Sequence, residues 1–565
     1  MANPHGRLQR RDITRLDMSW TPKTLYAFVA ERAETRADAQ ALVTTTARLN
    51  YSDQHAAVRR TAKAMHALGV RRGDFVGVLM GNDETWVTLF YAAAAIGAVT
   101  VPVNTRFKAA ELAFCLAQAD VKVLFTADRF LNIDFLAFLR AAEPALDHAL
   151  PGDAPPLLDR VVVVGSEIPR AAISFDAFLA LASGVPDDVL DGLIAQVRPN
   201  DLLLIQFTSG TTAYPKAVML THDNMLRNAW AVGQRMGITP DDRYFNCRPF
   251  FHVAGTTLSL LVSLIAGACL VTLPTFEAGA ALSMMAQERC TLTSGNDTLF
   301  QLVMGHPSFD PTLLCLRGGW AAAGPETIRN IIERMGAHDV CVAYGLSEAS
   351  PNVVLNDHRD PPELRIAGRA KPHDGVEVRI TERDTGAVLP AGETGEIEVR
   401  GWNVMRSYYR NPEETSKAFT PDGWLRTGDI GVLTADGRLR MVGRVKDTFR
   451  VGGENVAPAE VEEVLLAHPA VATAQVVGVP DPWLGEVGAA FVTLKANAPA
   501  TASELTAFVR QRCANFRVPR YLAIVASFDA IGMTASGKVQ KNALRQHAIR
   551  EFKLDAARAE TGAAR

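Results

Sequence analysis

Residues 253–273 carry no charged side chain, and a run of that length is enough to cross a bilayer. Gly267-Ala268 breaks it. The break divides the run into a helix over 256–266, a C-cap at Gly267 and a buried strand over 269–273. The same grammar governs 86–103, with Gly97 as the stop and 99–103 as the strand. A helix, a glycine and a short apolar strand, met twice, argue for a soluble α/β protein rather than a membrane span.

The rest of the chain extends this pattern. Helix-like runs at 56–68 and 85–96 alternate with strand-like runs at 75–80 and 121–126, which predicts helices covering a mostly parallel sheet. Residues from 201 to about 360 repeat the alternation. Over 376–441 the grammar changes to short strands at 376–380, 396–400, 430–433 and 439–442, with turns at Asp384-Thr-Gly386, Asp422-Gly423 and Asp436-Gly437. A small α+β unit is expected from about residue 447, and the Ala- and charge-rich tail after Lys553 is expected to fray. At 565 residues the chain is too long for a single core.

Composition excludes several classes. The formal net charge is -3 and no basic block appears, which argues against nucleic acid as a partner. Seven cysteines without a Cys-x-x-Cys spacing point to reduced thiols in a cytoplasmic protein and against a zinc site. The first 17 residues are polar and Arg-rich, unlike a secretory signal.

Chemistry concentrates first in Thr208-Ser-Gly-Thr-Thr-Ala-Tyr-Pro-Lys216, a hairpin-like loop between apolar runs at 202–207 and 217–220. Hydroxyls and free N–H groups wrap phosphate oxygens, Gly210 lets the backbone approach, and Lys216 adds a point charge. Taken alone the stretch is also compatible with a polar surface turn. Downstream come Arg248-Pro-Phe-Phe-His-Val-Ala-Gly255, Gly318-Gly-Trp-Ala-Ala322 and Tyr344-Gly-Leu-Ser-Glu348. They are followed by Ser407-Tyr-Tyr-Arg-Asn-Pro-Glu-Glu-Thr415, Trp424-Leu-Arg-Thr-Gly-Asp429 and Gly443-Arg-Val-Lys-Asp447. The last are Val451-Gly-Gly-Glu-Asn-Val-Ala-Pro-Ala-Glu460, Phe516-Arg-Val-Pro-Arg520 and Thr534-Ala-Ser-Gly-Lys-Val-Gln-Lys541.

This ordered set resembles the adenylate-forming (AMP-binding) enzymes, of the acyl-CoA and aryl-CoA synthetase type, from about residue 25 to about 550. The resemblance implies a large α/β N-terminal domain, built of two sheet-and-helix subdomains plus a β-rich subdomain, and a small mobile α+β C-terminal domain. The expected boundaries are 1–443 and 448–565, with a hinge linker at 444–447 and Lys446 at the hinge position.

Site roles follow by resemblance, residue by residue. Thr208, Ser209, Gly210, Thr211, Thr212 and Lys216 form the phosphate loop. His252 lies at the acyl pocket, where it orients the reacting carboxylate; by itself it reads equally as a core histidine. Phe251, Val253 and Gly318 line that pocket, and Gly319, Trp320 and Ala321 lie along adenine. Trp320 either narrows the pocket or simply packs. Tyr344 and Gly345 meet adenine, Ser347 the α-phosphate, and Glu348 holds Mg²⁺. Asp429 accepts the ribose hydroxyls, although alone it reads as a turn cap, and Arg444 reaches ribose or phosphate. Lys538 serves the adenylation step. Gly452 and Gly453 line the pantetheine path, and Arg517 and Arg520 meet CoA phosphates or belong to a solvated turn.

The function implied is an ATP-dependent carboxylate–CoA ligase using ATP, Mg²⁺ and coenzyme A, with a small-molecule carboxylic acid as partner and a homodimer compatible with the family. None of the residues expected at the acyl pocket is a cation suited to a second carboxylate. An aromatic, alicyclic or medium-chain monocarboxylic acid is therefore expected. Two alternatives stay open: an adenylating enzyme that loads a carrier protein, and an inactive acyl- or nucleotide-binding module.

Overall fold

In the computed structural model, Asp83 caps the helix Glu84–Ala95 by accepting from the Trp86 N–H. Gly97 stops it at φ +72°, a left-handed conformation that suits glycine, and the chain enters the strand Val99–Pro102. The structure describes residues 20–152, 158–208, 215–383, 385–495, 498–533 and 539–554.

Val99–Pro102 belongs to a 7-stranded sheet. Its spatial order is Lys216–Thr221, Leu202–Thr208, Val99–Pro102, Phe75–Leu79, Val121–Ala127, Arg160–Val164 and Ile173–Ser174. All neighbours are parallel except the first pair, an antiparallel hairpin in which Thr208 faces Lys216. A second, 9-stranded sheet runs Lys371–Pro372, Asn352–Leu355, Asp339–Gly345, Gly318–Ala322, Leu292–Asn296, Arg243–Asn246, Cys269–Thr272, Gln40–Val43 and Arg48–Asn50. The helices Tyr51–Leu68, Glu84–Ala95 and His222–Met236 contribute Val58, Phe90 and Leu226 to one core that also takes Val76 from the first sheet and Leu270 from the second. Both sheets thus bury a face against shared helices, the layered solution expected from the alternating pattern.

The charge-free run folds as expected at its end and differently at its start. Gly267 caps it in the left-handed region, and Cys269–Thr272 is fully buried. The helix begins with a short turn at Val253–Gly255 and continues through a π-helical stretch, Thr256–Leu261, before Val262–Ala266. Wide turns of this kind commonly accompany functional sites. The segment Gly318–Ala322 is a strand of the large sheet.

Four antiparallel strands, Val376–Thr381, Thr394–Gly401, Leu425–Leu433 and Leu439–Arg444, form the β-rich unit. The smaller C-terminal domain has its own core, centred on Val461, Val476, Phe491 and Leu544. Its sheet pairs Val471–Asp481 with Gly485–Leu494, beside the helices Pro458–Leu466, Ala502–Arg510 and Lys541–Glu551. Between the two, Asp447 and Thr448 N–H groups both donate to the Arg444 carbonyl, at 3.1 Å each, and Lys446 lies on that turn. No helix among the described residues is long and apolar enough to cross a membrane.

Candidate active site

The loop before His252 is held by buried amides. Asn82 and Asn246 both donate to the Arg248 carbonyl, at 2.8 and 2.9 Å, and Asn82 Oδ1 accepts from Phe250 N–H at 2.7 Å. Gln206 donates to the Phe251 carbonyl at 2.9 Å. The loop is thereby fixed to both sheets. Gly255 is required behind it, since a Cβ there would sit 2.3 Å from the Pro249 carbonyl oxygen. His252 caps the short helix by accepting from Ala254 N–H at Nδ1, 3.1 Å. That bond fixes the neutral ring as the tautomer protonated at Nε2. An Nε2–H donor is the form that orients a carboxylate. Val253 is buried and Phe251 half-buried beside it.

Gly318–Ala322 crosses the middle of the large sheet. Arg317 anchors its start, donating to Asp242 Oδ2 at 2.6 Å and to the Gly237 carbonyl at 2.8 Å. Gly319 sits at φ +132°, where a Cβ would fall 1.7 Å from the Thr293 carbonyl oxygen. Trp320 is buried; its indole N–H donates to the Leu258 carbonyl at 3.2 Å, and the Arg248 guanidinium lies 4.9 Å from its ring centre. Ala321 is fully buried on the opposite face of the sheet, in the core with Phe245 and Val271. At Gly345 a Cβ would meet the Pro351 carbonyl oxygen at 2.0 Å. The tight turn then leads into the 3₁₀ turn Ser347–Ala349.

Two carboxylates flank this turn, each held by a tyrosine. Tyr408 OH donates to Glu348 Oε1 at 2.9 Å, and Met405 N–H donates to the Glu348 carbonyl at 2.7 Å. Tyr344 OH donates to Asp429 Oδ2 at 2.9 Å, while Arg444 Nε lies 3.1 Å from Asp429 Oδ1. Burial, and then the neighbouring carboxylate, push both tyrosine hydroxyls above the ordinary phenol range. Lys216 pairs with Glu414 and stands 5.0 Å over the Tyr408 ring. Lys216, Tyr408 and Glu348 therefore form one connected group. A carboxylate retains acceptor capacity after one such bond. Glu348 suits Mg²⁺, which takes one or two carboxylates and completes its shell with phosphates and water. The described residues contain no group of three metal-ligating side chains.

Several of these supports are not visible in the motifs. Tyr408 falls within Ser407-Tyr-Tyr-Arg, but nothing in that string points it at Glu348. Asn228 donates to the carbonyls of Ala349 and Asn352, at 3.3 and 2.8 Å, and accepts from Asn352 N–H at 3.2 Å. His373 contacts Asn352 Oδ1 at 2.6 Å. These amides hold the loop that carries Glu348. Asp297 accepts from Gly324 N–H at 3.0 Å, which ties the 295–298 segment to the end of the Gly318–Ala322 strand.

In the C-terminal domain Gly452 and Gly453 have φ of +59° and +98° and turn the hairpin between Phe449–Val451 and Glu454–Val456. Successive positive φ values are what a two-residue hairpin turn needs. Arg517 lies 3.3 Å from Glu460, and Arg520 pairs with Asp481. Both arginines are thus engaged with carboxylates here. Ser209, Gly210, Thr211, Thr212 and Lys538 lie outside the described residues.

The family model described as AMP-binding enzyme matches residues 29–409, and the AMP-binding enzyme C-terminal domain matches 460–538. The chain belongs to the AMP-binding enzyme family. Within the family it is an enzyme of the acyl-CoA and aryl-CoA synthetase type. It is 34% identical over 529 residues to the mouse (Mus musculus) mitochondrial medium-chain acyl-CoA ligase ACSF2, covering 90% of this chain and 84% of the relative. It is 37% identical over 536 residues to 3-[(3aS,4S,7aS)-7a-methyl-1,5-dioxo-octahydro-1H-inden-4-yl]propanoyl:CoA ligase of Rhodococcus jostii, covering 93% and 98% of the two chains. Among solved structures, the anthranilate CoA ligase AuaEII in complex with anthranoyl-AMP superposes with a TM-score of 0.83 at 27% identity, over 95% of this chain and 99% of the other. The fold class expected from the motifs, a large α/β domain followed by a smaller one, is that of these AMP-binding enzymes.

Proposed function

We propose that this AMP-binding enzyme is a cytoplasmic ligase that joins a carboxylic acid to coenzyme A in two steps. The observation that carries the reading is the pair of tyrosine-held carboxylates, Glu348 and Asp429, on either side of the Gly345 turn. In the first step an acid carboxylate oxygen attacks the α-phosphorus of ATP and pyrophosphate leaves. The carboxylate has no proton to lose, so His252 orients it through Nε2–H rather than acting as a base. Negative charge grows on the phosphoryl oxygens, where Lys216, the phosphate loop and Lys538 supply positive charge and N–H donors. Asp429 accepts from the ribose hydroxyls, and Glu348 would hold Mg²⁺, which would supply positive charge to offset that of the phosphates.

In the second step CoA thiolate attacks the acyl carbon and AMP leaves. The linker at 444–447, with Lys446 at the hinge position, serves as the hinge between domains, and its rotation exchanges the Lys538 loop for the Gly452-Gly453 loop. The acid is aromatic, alicyclic or medium-chain. This range is supported by the small and aromatic residues around His252 and by relatives named for medium-chain, bicyclic and anthranilate acids.

The test is a panel of acids assayed with Mg·ATP. Pyrophosphate release without CoA, and thioester only after CoA is added, is the expected result. Absence of pyrophosphate release with every acid would overturn the reading.

A further inference from the structure

Arg248 has no part in the chemistry above, and its setting is unusual. Its side chain is only 7% exposed, and its Nε is buried without a hydrogen-bond partner. Among the described residues no carboxylate pairs with it. Three other arginines withdrawn from solvent are provided for. Arg317 pairs with Asp242, Arg379 bridges Glu398 and Asp422, and Arg365 donates to the carbonyls of His338 and Val340. Stacking on Trp320 gives Arg248 a π face but no counter-charge. A buried cation left without hydrogen-bonding partners is costly, and such groups are normally paired.

A second group shares the deficit. Ser294 is fully buried, and its Oγ also lacks a hydrogen-bond partner. The Tyr244 hydroxyl, on the neighbouring strand, approaches Ser294 and donates its own proton to the Leu258 carbonyl at 2.9 Å. Ser294 stands opposite Trp320 in the parallel register of Leu292–Asn296 and Gly318–Ala322, so the two side chains lie on the same face of the sheet. A guanidinium and a hydroxyl thus flank one indole, and the guanidinium belongs to the loop that carries His252. The guanidinium is a donor that awaits an acceptor, and the hydroxyl is a second donor whose one neighbouring acceptor is the Tyr244 oxygen.

We propose that Arg248 and Ser294 recognise an acceptor oxygen, a ketone or a second carboxylate, on the part of the acid remote from the carboxylate that is activated. The inference rests on the ligase reading and narrows it: the plain monocarboxylic acid becomes the poorer substrate. Arg248 is then the cation that the expected pocket residues did not include.

The test uses length-matched trios: a plain acid, its ω-keto analogue and its ω-carboxyl analogue. Pyrophosphate release is measured with wild type, Arg248→Met, Arg248→Lys and Ser294→Ala. Wild type is expected to favour one acceptor-bearing acid by about a hundredfold in kcat/KM, because a buried donor left unpaired penalises the plain analogue. Which analogue wins identifies the oxygen as ketone or carboxylate. Arg248→Met should collapse the ratio to about threefold, leaving the plain acid's rate within about threefold of wild type, while Arg248→Lys keeps part of the preference. Ser294→Ala should lower only the preferred acid, by about tenfold.

No preference in wild type, or an unchanged ratio in folded Arg248→Met, overturns the inference. If Arg248→Met does not fold, Ser294→Ala and Arg248→Lys carry the same comparison, and an unchanged ratio in both overturns it. Failure of all acids to release pyrophosphate counts against the ligase reading alone. The Arg248 inference is then read from acid-induced shifts in melting temperature. A shift with acceptor-bearing acids that is lost in the variants supports it, and no shift overturns it.

Discussion

The phenolic hydroxyl of Tyr408 donates to Glu348 Oε1 across 2.9 Å, joining residues 60 positions apart. Neither the Tyr344-Gly-Leu-Ser-Glu348 motif nor the Ser407-Tyr408 string specifies this pairing. The bond aims the carboxylate, and Lys216 stacks over the same ring. A hydrogen bond to a charged group is worth about 1.5–3 kcal/mol. Tyr408→Phe keeps the ring and loses only the hydroxyl. It should raise the Mg²⁺ concentration for half-maximal adenylation by about tenfold or more, as removal of a group orienting a metal ligand does. A Mg²⁺ titration of pyrophosphate release checks this; a curve identical to wild type would remove Tyr408 from the metal's support.

Gly319 makes a sharper demand on the backbone. Its φ is +132°, and a Cβ placed there would lie 1.7 Å from the Thr293 carbonyl oxygen, which leaves no room for a side chain. Gly319→Ala should cost about 3 kcal/mol or more and abolish soluble expression or lower Tm steeply. Gly437 is the control, with φ +75° and open space around it; Gly437→Ala should cost only about 1 kcal/mol. Paired thermal melts distinguish the two, and equal effects would contradict the packing at Gly319.

Asp297 gives a pH dependence. Burial first, with the Glu462 carboxylate adding to it, raises its pKa above the ordinary carboxylate range. The folded state therefore binds this proton more tightly than the unfolded chain. Stability from this site falls as pH rises from the ordinary carboxylate pKa through the raised one, and the loss is complete above it. Asp297→Asn keeps an acceptor for Gly324 N–H and carries no charge. It should raise Tm at neutral pH and give a smaller gain near pH 4, about where ordinary carboxylates titrate. A gain that does not depend on pH would refute the assignment.

Lys538 lies outside the described residues, and its prediction comes from the motif. Lys538→Ala should lose about a hundredfold or more in acyl-AMP formation, because a charge facing the developing phosphate charge is gone. Supplied with prepared acyl-AMP and CoA, it should form thioester near the wild-type rate. Equal loss in both half-reactions would mean a structural lysine.

What the sequence determined by itself is local. The uncharged run with Gly267 specified helix, cap and buried strand, because side-chain period and glycine's left-handed freedom act within a few residues. The resemblance of their motifs to those of the AMP-binding enzymes gave Glu348, Asp429 and His252 their expected roles. Tertiary structure decided what holds and surrounds them. Tyr408 meets Glu348, Tyr344 meets Asp429 85 positions away, and Asn228 supports the Ala349 carbonyl from 121 positions away. It also left Arg248 buried beside Trp320 with no carboxylate paired to it among the described residues. Hydrogen-bond partners and burial depend on which strands become neighbours, and periodicity along a chain carries no record of distances between segments so far apart.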